Sequence, residues 1–122
     1  MNTINIRKNL GNRGEALAAK YLRQRGYRVI AHNYRLGHLE IDLIATRQKK
    51  LIFIEVKTRV KSAVGQADNM LSRKQTKNLK RALTAYCIKN RVSLDAAALD
   101  LIVIEVDRQN KRATLKHYRN VF

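Results

Sequence analysis

A chain of 122 residues with 45% hydrophobic content can bury a modest core of its own, which excludes a basic disordered tail. Twenty-six Lys and Arg against nine Asp and Glu give a formal net charge of +17, and a polyanion, most commonly nucleic acid, is the partner that relieves such self-repulsion. The single cysteine, Cys87, excludes an internal disulfide and a thiolate zinc site.

No apolar run approaches the ~20 residues of a membrane span, MNTINIRKNL lacks a signal-peptide core, and no helix pattern is apolar enough to insert at a lipid surface. The expectation is a cytoplasmic protein with no membrane partner. Residues 1–122 read as a single domain without repeat, low-complexity tract or linker.

The first predicted element is a helix from about Arg13 to Arg25, with Gly14, Leu17, Ala18, Tyr21 and Leu22 at helical spacing and Gly26 as its stop. YRVIAH (27–32) reads as a short strand. EIDLIAT (40–46) and LIFIEVKTR (51–59) follow as a hairpin across the polar turn RQKK, and Val60–Met70 reads as a loop. Ser72 and Gln75 then make a capping box that opens a helix to about Asn90. On that helix Leu79, Ala82, Leu83 and Tyr86 form an apolar stripe, and Arg73, Lys77, Lys80 and Arg81 form a cationic one facing away from it. AALDLIVIEV (97–106) is nearly continuous apolar sequence, as in a strand covered on both faces, and ATLKHY (113–118) reads as a final edge strand. The order α-β-β-β-α-β-β predicts an α/β domain with a mixed β-sheet flanked by helices.

The strand at 51–59 carries an anomaly, because Glu55 and Lys57 interrupt a run that is otherwise apolar. Side chains alternate along a strand, so Phe53, Glu55, Lys57 and Arg59 share one face, and Ile52, Ile54 and Val56 share the other. On the preceding strand Glu40, Asp42 and Ile44 alternate with Ile41, Leu43 and Ala45. If the Ile/Val sets both face the core, Asp42 and Glu55 emerge together, and three of only nine acids cluster there. Carboxylates grouped in a cationic domain suit a hard divalent cation such as Mg²⁺, which takes one or two carboxylates plus water and phosphate oxygens. An adjacent lysine can hold a water or offset charge at a phosphoryl centre. The competing reading is cross-strand ion pairing on an exposed face, worth about 0.2–1 kcal/mol per pair.

Asp42, followed thirteen positions on by Glu55-x-Lys57, resembles the PD-(D/E)xK nuclease signature. More of the chain resembles the YraN family, whose members are regarded as endonucleases similar to archaeal Holliday junction resolvases. The likeness runs in order through GNRGEALAAKYLRQRGY, NYR (33–35), EIDLIA (40–45), FIEVKTR (53–59), LDLIVIE (99–105) and HYRNVF. It implies a restriction-endonuclease-like fold and a Mg²⁺- or Mn²⁺-dependent endonuclease that hydrolyses phosphodiesters in DNA, branched or junction DNA included, with DNA favoured over RNA. By position, Asp42 and Glu55 would hold the metal with the carbonyl of Val56, and Lys57 would serve the attacking water. Glu15 would add a further acidic group from the first helix, although Asn12-x-x-Glu15 also reads as a capping box. The chain departs from the family in having Leu39 where glycine usually precedes Glu-Ile-Asp, with Gly37 standing earlier, and in lacking a proline in the loop that contains GQADNM. Cutting both strands of a junction would call for two sites and hence a homodimer.

Arg35, Arg59, Lys61, Arg73, Lys74, Lys77, Lys80 and Arg81 are the candidates to hold phosphates, the helix set beginning at an N-terminus whose amides also favour anions. His38 lies beside the acidic strand as a further possible ligand, Asp100 either hydrogen-bonds in the core or supports the site, and Cys87 reads as a small core residue. Two other classes of function stand beside the nuclease: a non-catalytic nucleic-acid-binding module of the same fold, and a small RNA-binding or ribosome-associated protein. Against the latter, only 6% of residues are aromatic and no strand carries a base-stacking motif.

Overall fold

The computed structural model describes residues 3–61 and 71–121, with side chains from residue 12 onward. The elements run α1 (Thr3–Gln24), β1 (Arg28–Leu36), β2 (Leu39–Arg47), β3 (Lys50–Val60), α2 (Arg73–Asn90), a short 3₁₀ turn at Leu94–Ala96, β4 (Ala97–Asp107) and β5 (Arg112–Tyr118). The five strands form one mixed sheet in the order β1-β2-β3-β4-β5. Among the described residues only β3 and β4 pair in parallel, and α2 lies in the crossover between them. The predicted α-β-β-β-α-β-β order is therefore the observed one. Most of the loop read at Val60–Met70 lies outside the described residues, and Val60 itself ends β3. Among the described residues no helix is long and apolar enough to cross a membrane.

Both faces of the sheet are covered. On one face Ala18, Ala19 and Leu22 of α1 pack on Leu43, Ala45, Ile52, Ile54, Ile102 and Ile104. On the other, Leu79, Ala82, Leu83 and Cys87 of α2 pack on Ile41, Ile44, Phe53 and Leu99. This corrects the expectation of one apolar face and one open face on the 51–59 strand. Phe53, on the same side as Glu55, is fully buried under α2. Only the end of that face beyond Phe53 is left for chemistry. The apolar run of β4 has the same cause, since Leu99–Ile104 are buried toward both helices.

Two local departures from the sequence reading shape the site. Helix α1 starts at Thr3, not near Arg13, so Asn12 is interior to the helix and cannot cap it. Gly14, read among the residues at helical spacing, is a packing residue. A Cβ placed there would lie 1.9 Å from the Thr58 hydroxyl of β3, so helix and strand approach at a distance only glycine permits. Strand β1 also runs on to Leu36 instead of ending at His32. Gly37 (φ 63°) opens the two-residue turn to Leu39, which explains why glycine stands there and Leu39 can be a strand residue. The period was hidden because the register with β2 shifts between Val29 and Ala31 and Asn33 adopts a left-handed φ of 48°. Leu17, read into the apolar stripe of the first helix, is 45% exposed.

Gly14→Ala should lower the free energy of unfolding by about 1–3 kcal/mol through overpacking, although alanine is the better helix former by about 1 kcal/mol. Urea denaturation reads the sign directly. Adding Thr58→Ala should recover most of the loss, and a single variant more stable than the parent would contradict the close approach.

Candidate metal and phosphoryl-transfer site

The site begins where a ladder ends. Strands β2 and β3 pair from Arg47↔Lys50 to Leu43↔Ile54 and then part. In the gap the Val56 N–H donates to Asp42 Oδ2 at 2.8 Å, a side-chain acceptor in place of a main-chain one. The N–H and C=O of one strand residue project to the same edge, so the Val56 carbonyl also faces this gap. Asp42 reaches it because β2 is kinked. Ile41 and Ile44 both pack under α2, while Leu43 and Ala45 face α1, so the alternation assumed for Glu40, Asp42 and Ile44 breaks at Asp42. Its neighbour across β1 is Asn33, flanked by the pairs His32↔Leu43 and Tyr34↔Ile41. The two irregular residues lie side by side.

Asp42 and Glu55 are hydrogen-bonded to each other. Burial, the Asp42 charge and that hydrogen bond push Glu55 up to about 8, with the Lys57 charge opposing. Burial likewise raises Asp42, against the hydrogen bonds from Val56 and Glu55 and the Lys57 charge. Two further acids lie close. Glu40 is half-exposed and pairs with Arg35 at 3.8 Å. Glu15, half-buried on α1, is raised by burial first and then by Asp42 and Glu40. With its amide nitrogen turned toward them, Asn33 donates to Glu15 Oε2 at 3.1 Å and to Glu40 Oε1 at 3.3 Å. Four of the nine acids thus face one end of β3, and Glu15 belongs to this group instead of a helix cap.

Among the described residues no three His, Cys, Asp or Glu side chains enclose a metal by themselves. An octahedral Mg²⁺ does not need such a cage, because water and substrate phosphate complete its shell around one or two carboxylates. Asp42, Glu55 and the Val56 carbonyl supply that partial set. Two half-buried acids that cannot both ionise cheaply are the donor chemistry that a divalent cation relieves. His38 is exposed in the β1–β2 turn and does not join them.

A small cavity of about 160 Å³ opens beside Glu55, lined by Leu39, Glu40, Gln75, Asn78 and Leu79. Gln75 and Asn78 come from the start of α2, where Ser72 and Gln75 form the predicted capping box with both hydrogen bonds at 3.1 Å. Asn33, Gln75 and Asn78 are site residues that the sequence reading did not assign. Asn33 stood in the NYR motif without a role, and Gln75 was read only as a cap. A larger apolar cleft of about 320 Å³, between α1 and β5, contains no acid and lies apart from the carboxylates.

The candidate phosphate-binding residues divide. Arg35 is beside Glu40 at the rim. Lys61, at the end of β3, is exposed and ties its N–H to the Val106 carbonyl. Arg59 turns to Glu105 on β4 at 3.4 Å, with only 24% of its side chain exposed. Arg73, Lys74, Lys77, Lys80 and Arg81 are exposed, and helical spacing sets Arg73, Lys77, Lys80 and Arg81 on the side of α2 away from buried Leu79, Ala82, Leu83 and Cys87. That stripe looks outward, not down into the carboxylate pair.

The proton on Glu55 makes stability depend on pH. The folded carboxyl holds its proton to about 8, while the ordinary value is 4.5. Between these values the folded state binds more protons than the unfolded one, so this contribution is complete below 4.5 and is lost as pH rises through about 8. In chelator, denaturation midpoints should fall between about pH 5 and about pH 9 by the equivalent of about 1 kcal/mol or more. Glu55→Gln should flatten that decline, and an unchanged slope in the variant would contradict the buried acid pair.

The comparisons with known proteins agree with one another. A family model described as "Uncharacterised protein family UPF0102" matches residues 14–104. A UPF0102 protein of Alkaliphilus oremlandii is 36% identical over 96% of this chain and 100% of its own length. One from Carboxydothermus hydrogenoformans is 34% identical over 94% of this chain and 96% of its own. A third, from Herpetosiphon aurantiacus, is 39% identical over 94% of each. The matched segment runs from Gly14, at its contact with Thr58, through Asp42, Glu55 and Lys57 to Ile104, and the chain belongs to the UPF0102 family.

Proposed function

We propose that this protein is a divalent-metal-dependent endonuclease that hydrolyses phosphodiester bonds in DNA, branched or junction DNA included. The observation that carries the reading is the hydrogen-bonded pair Asp42 and Glu55 with Lys57 beside it, set where β2 and β3 part. A Mg²⁺ or Mn²⁺ ion held by Asp42, Glu55 and the Val56 carbonyl would supply Lewis-acid stabilisation of a phosphoryl oxygen and lower the cost of deprotonating water.

The chain's own groups divide the remaining work. Lys57 acts as a fixed cation that orients the attacking water and offsets charge developing on the phosphate. Asp42 is held in orientation by the Val56 N–H. Asn33 keeps Glu15 and Glu40 at the rim. Arg35 and Lys61 take flanking phosphates, and the outer stripe of α2 receives a second arm of a bent or branched substrate, because it is too far round the helix to serve the strand being cut. Two copies would be needed to cut both strands of a junction.

The reading is tested with end-labelled single strands, duplex, flap and four-way junction, each with Mg²⁺, Mn²⁺ or EDTA. Asp42→Asn and Glu55→Gln should cut at least about a hundredfold more slowly and bind DNA as well as or better than the parent, since a carboxylate facing phosphate is gone. Normal cleavage by both variants would overturn the assignment.

A second reading is a binding module of the same fold that does not cut. The outward direction of the α2 cations favours it. Tight binding of these DNAs by folded protein, with no cleavage under any metal, would select it.

A further inference from the structure

His117, Arg119, Asn120 and Asp100 take no part in the carboxylate site. They meet on the α1 face of the sheet, toward the β2–β3 turn. Asp100 is 3% exposed, and both its oxygens are committed. Oδ2 lies 2.7 Å from His117 Nε2, and Oδ1 accepts the Asn120 N–H at 2.9 Å. The other ring nitrogen of His117 pairs with the Tyr21 hydroxyl of α1 at 3.1 Å. An imidazole that donates to Asp100 and accepts from Tyr21 satisfies all three groups.

Beyond β5 the chain passes Asn120 (φ 53°) and stays beside β4, where the Val121 N–H donates to the Leu99 carbonyl at 2.8 Å. A buried acid and a buried histidine are a costly way to fasten three residues. Their effect is to set Arg119 into a cavity of about 360 Å³ that Arg47 and Lys50 also line. The Arg47 guanidinium sits 5.1 Å from the centre of the Tyr27 ring, which limits its orientation. Asp95 is the other acid of the wall, and Ile52, Ala97 and Ala98 supply its apolar part.

We infer that this cavity is a binding site for a phosphate monoester of nucleotide size, separate from the carboxylate pair. Two guanidinium forks and an ammonium match the oxygens and the nearly two negative charges of a terminal phosphate. The volume exceeds that of a bare phosphate and falls within the range of small-ligand sites, and the apolar wall suits the attached sugar or base. The terminal phosphate of a nucleic-acid strand and a free nucleotide present the same chemistry. The inference does not rest on the nuclease reading, since the site lies on the opposite face of the sheet from Glu55 and toward the other end of β3.

Fluorescence anisotropy in EDTA, with an oligonucleotide carrying either a 5′-phosphate or a 5′-hydroxyl, tests it together with adenosine 5′-monophosphate as competitor. The parent should prefer the phosphorylated strand by about tenfold, and the preference should vanish in Arg119→Gln/Lys50→Gln. Both positions are exposed, so the fold is not at stake. Arg108→Gln/Lys116→Gln removes the same charge elsewhere and should keep the preference. If the parent shows no preference but binds the monophosphate, and only Arg119→Gln/Lys50→Gln loses that binding, the ligand is a free nucleotide and the site stands. Neither preference nor monophosphate binding in the parent, retention of either in Arg119→Gln/Lys50→Gln, or equal loss in both double variants would overturn the site.

Discussion

The bond from the Val56 N–H to Asp42 Oδ2 is the constraint on which the candidate site depends. A sheet satisfies its main chain by pairing neighbours, and a strand that parts from its partner leaves polar groups that must find something else. Here β2 leaves β3 after Leu43↔Ile54, and the Asp42 carboxylate takes the vacated position. The same separation opens the Val56 carbonyl and brings Asp42 against Glu55. Strand divergence, the acid pair and the exposed main-chain oxygen are therefore one structural event.

Two features make the divergence stable. On β1, Asn33 takes a left-handed conformation opposite Asp42, and its amide ties Glu15 to Glu40. On α1, Gly14 lets the helix settle on Thr58, which delivers Glu15 one residue later to the open end of the sheet. Burial under α2 explains the chemistry of the pair. Leu79 lines the small cavity beside Glu55, and a carboxyl buried there next to the Asp42 charge keeps its proton to about 8.

Much of this was legible in the sequence because it is written in period and composition. The Ser72 and Gln75 cap, the apolar stripe of α2 and the doubly covered β4 follow from spacing alone, and Glu55 and Lys57 stood out as charges in an apolar strand. The irregularities were not legible. Strict alternation placed Asp42 on one face with Ile44, whereas the alternation of β2 breaks there and Asp42 reaches the Val56 N–H in the gap. The packing role of Gly14 was not legible, because a contact with Thr58, forty-four positions away, is invisible to local pattern. The outer direction of Arg73, Lys77, Lys80 and Arg81 was predicted; that it leads away from the carboxylates needed the position of α2 on the sheet. Asp100 was left undecided because its partners, His117 and Asn120, lie 17 and 20 positions away.

The proposed function requires that the Asp42 and Glu55 pair take up a divalent cation. Calorimetric titration of Mn²⁺ into the protein at neutral pH, in buffers of different ionisation heat, measures both binding and the protons released by it. Binding should release about one proton per ion, and Glu55→Gln should lose that release. Absence of saturable binding, or binding with the same proton release in parent and variant, would contradict it.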